Sequence, residues 1–311
     1  MREVDQDHLL GRQPVLTAVA GAAVIAFSAI LVSLADVTPE TAAVFRCAYA
    51  IPPLALIAYF ERRRYGPRSR RDRWLGIAAG ALFSADLICW HHAIHDVGAG
   101  LATVLGNLQV VLVAFLAWGL LGERPGPRTA AAVPIVVLGA VLISGLFETG
   151  AFGHDPGRGT LFGIATTFAY AGYLLVLRQI NADIRRPAGP LLDATAASAV
   201  ISTVVGASYG AVDLVPSWPA HGWLVLLALS SQVVGWLLIS TSLPRLPAAL
   251  TSLLLLIQPV ASVALAALIL GETPSALQII GVVVILAGVV YASRGRQPAR
   301  RMAAAAPTPA E

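Results

Sequence analysis

Apolar residues run through this chain in blocks of about twenty, separated by short polar breaks. A helix needs roughly 20 residues to cross the hydrocarbon core of a bilayer. The blocks predict ten spanning helices, at 15–35, 41–60, 74–94, 99–121, 128–147, 160–180, 189–212, 221–243, 248–270 and 275–293. The breaks carry turn chemistry: "DVTPE", "GERPGPR", "GHDPGRG", "DLVPSWP", "LPRLP" and "GETPS". Proline and glycine there end one helix and start the next. The expected fold class is an all-α membrane protein with ten transmembrane helices.

Composition points the same way. Of 311 residues, 57% are hydrophobic and only 12% charged, against about 25% charged in soluble domains. The mean hydropathy is +0.75. A soluble fold could not cover so much apolar surface. All 21 basic residues are arginine. Nineteen fall in the first 14 residues, the loops 61–73, 122–128, 178–190 and 244–247, and the tail 294–311. Arg158 lies in a loop of the opposite set, and Arg46 lies inside the second span. The positive-inside rule then places both termini in the cytoplasm of a multi-pass protein of the cell membrane. It also accounts for the basic pI, so nucleic acid is not an expected partner. The cluster "RRRYGPRSRRDR" could meet anionic lipid, although topology alone explains it. The opening "MREVDQDHLLGRQP" lacks a signal-peptide n-region, so the first span is expected to be retained. Cys47 and Cys89 lie in spans without a CxxC pattern and read as buried thiols.

An internal repeat appears at a shift of 149 residues. Residues 101–144 fall on 250–293 with 14 of 44 positions identical. The matches include Gln109/Gln258, Gly122-Glu123/Gly271-Glu272, Pro125/Pro274, Gly139/Gly288 and Ser144/Ser293. Five helices is an odd number, so the second half enters the membrane from the opposite side. Inverted repeats of this kind occur in secondary transporters, which rock about a central site. The expected organisation is a first repeat at 15–147, an outer linker at 148–159, a second repeat at 160–293 and a disordered cytoplasmic tail at 294–311.

The G-E-x-P junctions, the "QPV" of the ninth span and the glycine-spaced tenth span resemble the EamA family of the drug/metabolite transporter superfamily. The resemblance covers residues 15–295 and implies a ten-helix exporter or exchanger of small metabolites. One position departs from it: Val110 stands where the second repeat has Pro259. The fourth helix is therefore expected to be straighter than the ninth.

The polar residues inside the spans are the candidate site. Asp86 lies about 13 Å below the outer edge and Arg46 about 8 Å, at 1.5 Å per residue. A charge at mid-bilayer is costly and needs a partner, so an Arg46–Asp86 pair is expected, serving as a proton or carboxylate site or as a structural lock. His91, His92 and His95 follow toward the outer mouth. His91 and His95 share a face at i, i+4, but no third ligand is visible, so no metal is expected. Asn107, Gln109, Gln232 and Gln258 could bind a polar substrate or join helices. Tyr170, Tyr173 and Trp236 could give the cavity aromatic walls. Glu123 and Glu272 read as structural carboxylates at the N-termini of the helices that follow them.

No GxxxxGK[ST] run is present, so energy would come from a proton gradient or from exchange. An intramembrane enzyme using the Asp86, Arg46 and histidine cluster is the rival reading, but no nucleophile-elbow or H-E-x-x-H pattern supports it. A passive channel is a second rival. No cofactor is expected. The expected partners are a small-molecule substrate and the bilayer, with a homodimer left open.

Overall fold

Proline opens many of the helices in this chain. Its missing N–H would be unpaired in a first turn anyway, and its fixed φ suits a helix. The computed structural model describes residues 14–121, 125–180, 185–242 and 254–293. Helices α1 (Pro14–Ala26), α3 (Pro39–Ala48), α8 (Pro127–Ile143) and α9 (Pro156–Ile180) each begin at proline. Helices α4 (Ile51–Tyr65) and α11 (Trp218–Leu227) carry one in the opening turn. The others are α2 (Ser28–Ala35), α5 (Arg70–Val97), α6 (Ala99–Gly106), α7 (Gln109–Leu121), α10 (Ala188–Ser208), α12 (Trp236–Ser242), α13 (Ile257–Leu265) and α14 (Ala276–Ser293). No strand occurs among the described residues.

Six helical segments are long and apolar enough to cross a membrane: Pro14–Ala35, Pro39–Tyr65, Arg70–Val97, Pro156–Leu177, Ala188–Ser208 and Trp218–Ser242. Four shorter apolar helices occupy Ala99–Val113, Pro127–Ile143, Ile257–Leu270 and Ala276–Ala292. The protein is an all-helical, multi-pass membrane protein. Glu123, the "LPRLP" break, the start of the expected ninth span and the tail 294–311 lie outside the described residues.

Several of these helical segments are broken part-way along. Helix α3 ends at Ala48 because the ring of Pro52 crowds the carbonyl four residues back. Helix α6 ends at Gly106 without a proline. The Asn107 side-chain amide donates to the Thr103 carbonyl at 2.9 Å, the acceptor its own backbone N–H would use in an α-helix. The backbone tightens to i−3 bonds at Asn107 and Leu108, of 3.1 and 3.0 Å. The expectation that the fourth helix is straighter for want of a proline therefore fails, because asparagine breaks it instead. The repeat-equivalent position, Leu256, is also a turn. Between α11 and α12, residues Ala228–Gly235 form a π-helix.

The packing ties the two halves of the chain together. Helix α5 lies along α9 and α10, and α2 lies against α11. Helices α8 and α14 form a side pair in close contact: a Cβ on Gly139 would come 2.9 Å from the Gly281 carbonyl, and one on Gly281 would come 2.7 Å from that of Gly139. Small residues allow this approach, as is common between membrane helices.

Candidate functional site

A cavity of about 70 Å³ opens where the broken helices meet. Arg46, Asp86, Asn107, Tyr170, Trp236 and Gln258, all singled out from the sequence, are on its wall. Ile25, Ser28, Phe83, Leu87, Trp90, Thr103, Gly106 and Thr166 complete it. The walls come from both halves of the chain. That is small beside the roughly 300–1,000 Å³ of usual small-molecule sites, so a metabolite would need it to widen.

Arg46 reaches in from α3, 4% exposed. Its Nε donates to Gln232 Oε1 at 3.0 Å and its Nη1 to Ser28 Oγ at 3.0 Å. The π-helix carries Gln232, and Ser28 opens α2 just past the Phe27 break. Irregular turns thus aim both acceptors at one guanidinium, a common use of π segments. Gln232 also donates to Thr195 Oγ1 at 3.1 Å. The guanidinium carbon sits 5.6 Å from the Trp90 ring and 6.0 Å from that of Phe83, within cation–π range.

Asp86 projects from the middle of α5 and is 8% exposed. Its Oδ1 accepts from the Thr166 hydroxyl of α9 at 2.5 Å. The expected ion pair with Arg46 is not formed: Arg46 is held by neutral acceptors and Asp86 by a neutral donor. Arg46 is engaged by the α2 hydroxyl and the π-helix amide, while Thr166 turns the carboxylate toward α9. Two opposite charges therefore face one cavity with separate partners. Trp236, 4% exposed, has an indole Nε1 without a partner among the described residues.

The remaining candidates stand off the wall. Gln232 is one bond behind it, through Arg46. Tyr173 is fully buried and stacks on Phe83 at 4.6 Å, backing the aromatic wall without facing the cavity. Gln109 is buried in the first turn of α7 and does not line the cavity. His91 Nδ1 is 3.0 Å from the Pro39 carbonyl, and His92 Nε2 is 2.8 Å from Glu40 Oε1, which also accepts from Tyr209 at 2.6 Å. His95 pairs with Asp96, which Arg158 grips at 2.7 and 2.6 Å. The histidines thus separate into different contacts at one end of the bundle.

Glu272 corrects its expected role. Its Oε1 accepts from Ala99 N at 2.6 Å and its Oε2 from Gly100 N at 3.1 Å. It caps α6, in the first half of the chain, and not the helix that follows it. That helix, α14, is opened by Ser275, whose Oγ accepts from Gln278 N at 3.1 Å.

Sequence reasoning missed Ser28, Phe83, Trp90, Thr103 and Thr166. The hydroxyl of Ser28 and the Thr166–Thr167 pair, set in apolar spans, were the available signal.

A solved crystal structure superposes over 92% of this chain and 99% of its own at a TM-score of 0.61 and 16% identity. It is one of 23 matching chains of known structure and speaks for the fold alone. No curated protein matches. The model of the EamA-like transporter family matches residues 12–145 and again 157–294. A twofold helical match of this extent defines a membrane transporter of the drug/metabolite superfamily. The chain belongs to the EamA-like transporter family.

Proposed function

We propose that this protein is a ten-span secondary transporter with two inverted repeats and both termini cytoplasmic, exporting small amino-acid-like or amphipathic metabolites by alternating access. The observation that carries the reading is the pair of opposite charges, Arg46 and Asp86, on one cavity wall without a direct bond between them. A substrate carboxylate fits the Arg46 guanidinium and the free indole N–H of Trp236. A substrate ammonium, or a proton, fits Asp86. The arginine count by loop supports the orientation, and the 149-residue repeat supports two half-folds rocking about this centre. The repeats fall at 15–147 and 160–293, and the bilayer and the solute are the partners the reading requires.

The test is flux of a mixed amino-acid and metabolite panel into proteoliposomes, with and without an imposed pH gradient, for wild type and Asp86→Asn. Gradient-driven flux that the variant loses assigns the proton to Asp86. Flux that the variant retains leaves Asp86 a partner of Thr166 and assigns the energy to exchange. Equal passive leak of every solute, with no gradient response and no counterflow, would overturn secondary transport.

A further inference from the structure

The seam between α6 and α13 runs beside the central cavity, with Thr103 of one helix and Gln258 of the other on its wall. Gly100 comes so near that a Cβ on it would stand 3.0 Å from Val263 Cα and 3.3 Å from Glu272 Oε2. Below it, Ser262 Oγ donates to Thr103 Oγ1 at 3.0 Å, and Thr103 is itself on the cavity wall. Above it sits the Glu272 carboxylate, with one oxygen on each of the first two amides of α6. Gly98, at φ +92°, leaves the room: a Cβ there would meet Glu272 Cδ at 3.0 Å.

We propose that Glu272 is the releasable latch of this seam, a positioning residue whose carboxylate holds α6 against α13 and whose parting from the Ala99 and Gly100 amides opens the cavity on that side. The proposal rests on alternating access as read above. Three observations make the bond suited to release. It joins the two halves through a side chain, so it can break without unravelling either helix. Its acceptor is a carboxylate and its donors are the N–H groups of a helix start, which have no partner within their own helix, a strong arrangement that water can replace once the seam parts. Burial pushes the Glu272 carboxyl above its ordinary value, against the two amide bonds that lower it. Part of the closed-state interaction is thus spent on desolvation, which is recovered when the seam admits water.

The experiment reads the seam without a substrate. Ser262→Cys, in a Cys47→Ala/Cys89→Ala background, puts a single thiol beneath the latch. Leu191→Cys in the same background puts one in α10, at the opposite end of the bundle. Right-side-out and inside-out membrane vesicles are treated with a membrane-impermeant maleimide. Glu272→Ala is expected to raise the labelling rate at position 262 about tenfold from one side only. Glu272→Gln, which keeps one acceptor oxygen, should raise it less. Gly100→Ala keeps the carboxylate but wedges the seam, its Cβ crowding Val263 Cα and Glu272 Oε2, and should act in the same direction. Labelling at position 191 should not change. Unchanged labelling at 262 in both Glu272→Ala and Gly100→Ala overturns the latch, as does an equal rise at 262 and 191, which would mean a loosened fold. Absence of flux in wild type across the solute panel would overturn the transport reading, while the labelling still judges the seam.

Discussion

Arg46 holds together three parts of the chain that are far apart in sequence. Ser28 and Gln232 each present an oxygen at a different edge of one planar guanidinium. Lysine has neither the second edge nor the plane. Arg46→Lys is therefore expected to keep the charge yet lower transport by an order of magnitude, measured as initial flux at equal protein in the bilayer. Gln232→Leu leaves the Nε–H of a buried cation without its acceptor, which costs about 1–3 kcal/mol. The expected result is a lower unfolding temperature in detergent, and an unchanged temperature would remove Gln232 from the network. Arg46 and Asp86 were legible in the sequence because a charge inside an apolar span is too costly to be incidental. Phe83 and Trp90 were not, since an aromatic ring in such a span looks the same facing a cavity or facing lipid. The separation of Arg46 from Asp86 was also hidden. Depth along two helices can be counted from residue numbers, but the rotation that gives Asp86 to Thr166 depends on how α5 packs on α9.

Broken helices are the working elements of this fold. The Asn107 turn, the Pro52 break and the π segment at Ala228–Gly235 place Asn107, Arg46 and Gln232 at or beside the cavity. The proline break could be read from the sequence. The asparagine break could not, because asparagine favours a break only where its amide finds a carbonyl one turn back. Asn107→Leu should restore the bond from residue 107 to the Thr103 carbonyl and join α6 to α7. Its expected signature is unchanged or higher thermal stability together with reduced flux. The pair α8–α14 is the opposite kind of element, regular and tightly packed. Gly139→Val would push a side chain into the backbone of Gly281 and Ile285, where even the first carbon lies 2.6 Å from Ile285 Cγ1. Overpacking of this kind costs about 1–3 kcal/mol, so the variant should unfold at lower temperature and yield less folded protein.

At the scale of the molecule, each half-chain reaches across to finish a helix of the other. Glu61 of α4 accepts from Ala188 N and Gly189 N at 2.9 and 3.0 Å, capping α10, as Glu272 caps α6. Beside the Glu61 cap, Arg68 pairs with Asp193, and Arg186 donates to the Tyr65 and Gly66 carbonyls at 3.2 Å each. These contacts differ in strength. A partly exposed ion pair contributes about 0–1 kcal/mol, whereas loss of a helix cap costs about 0.5–2 kcal/mol. Glu61→Ala should therefore lower the unfolding temperature more than Asp193→Asn does, and the reverse order would show that the ion pair dominates that end. The repeat itself was plain in the shared Gln and G-E-x-P residues, but the direction of the caps was not. A carboxylate just before a helix invites a local reading, and only the three-dimensional pairing shows that Glu272 serves a helix 173 residues upstream.

That distance has a consequence in time. A ribosome adds about 5–20 residues per second, so the amides of Ala99 and Gly100 are made roughly 9–35 s before the carboxylate that will cap them exists. Through that interval the start of α6 has water and lipid headgroups as its available partners, and the seam cannot close. The segment that carries Glu272 thus completes a helix made 173 residues before it, and this cap forms only after that segment has been made.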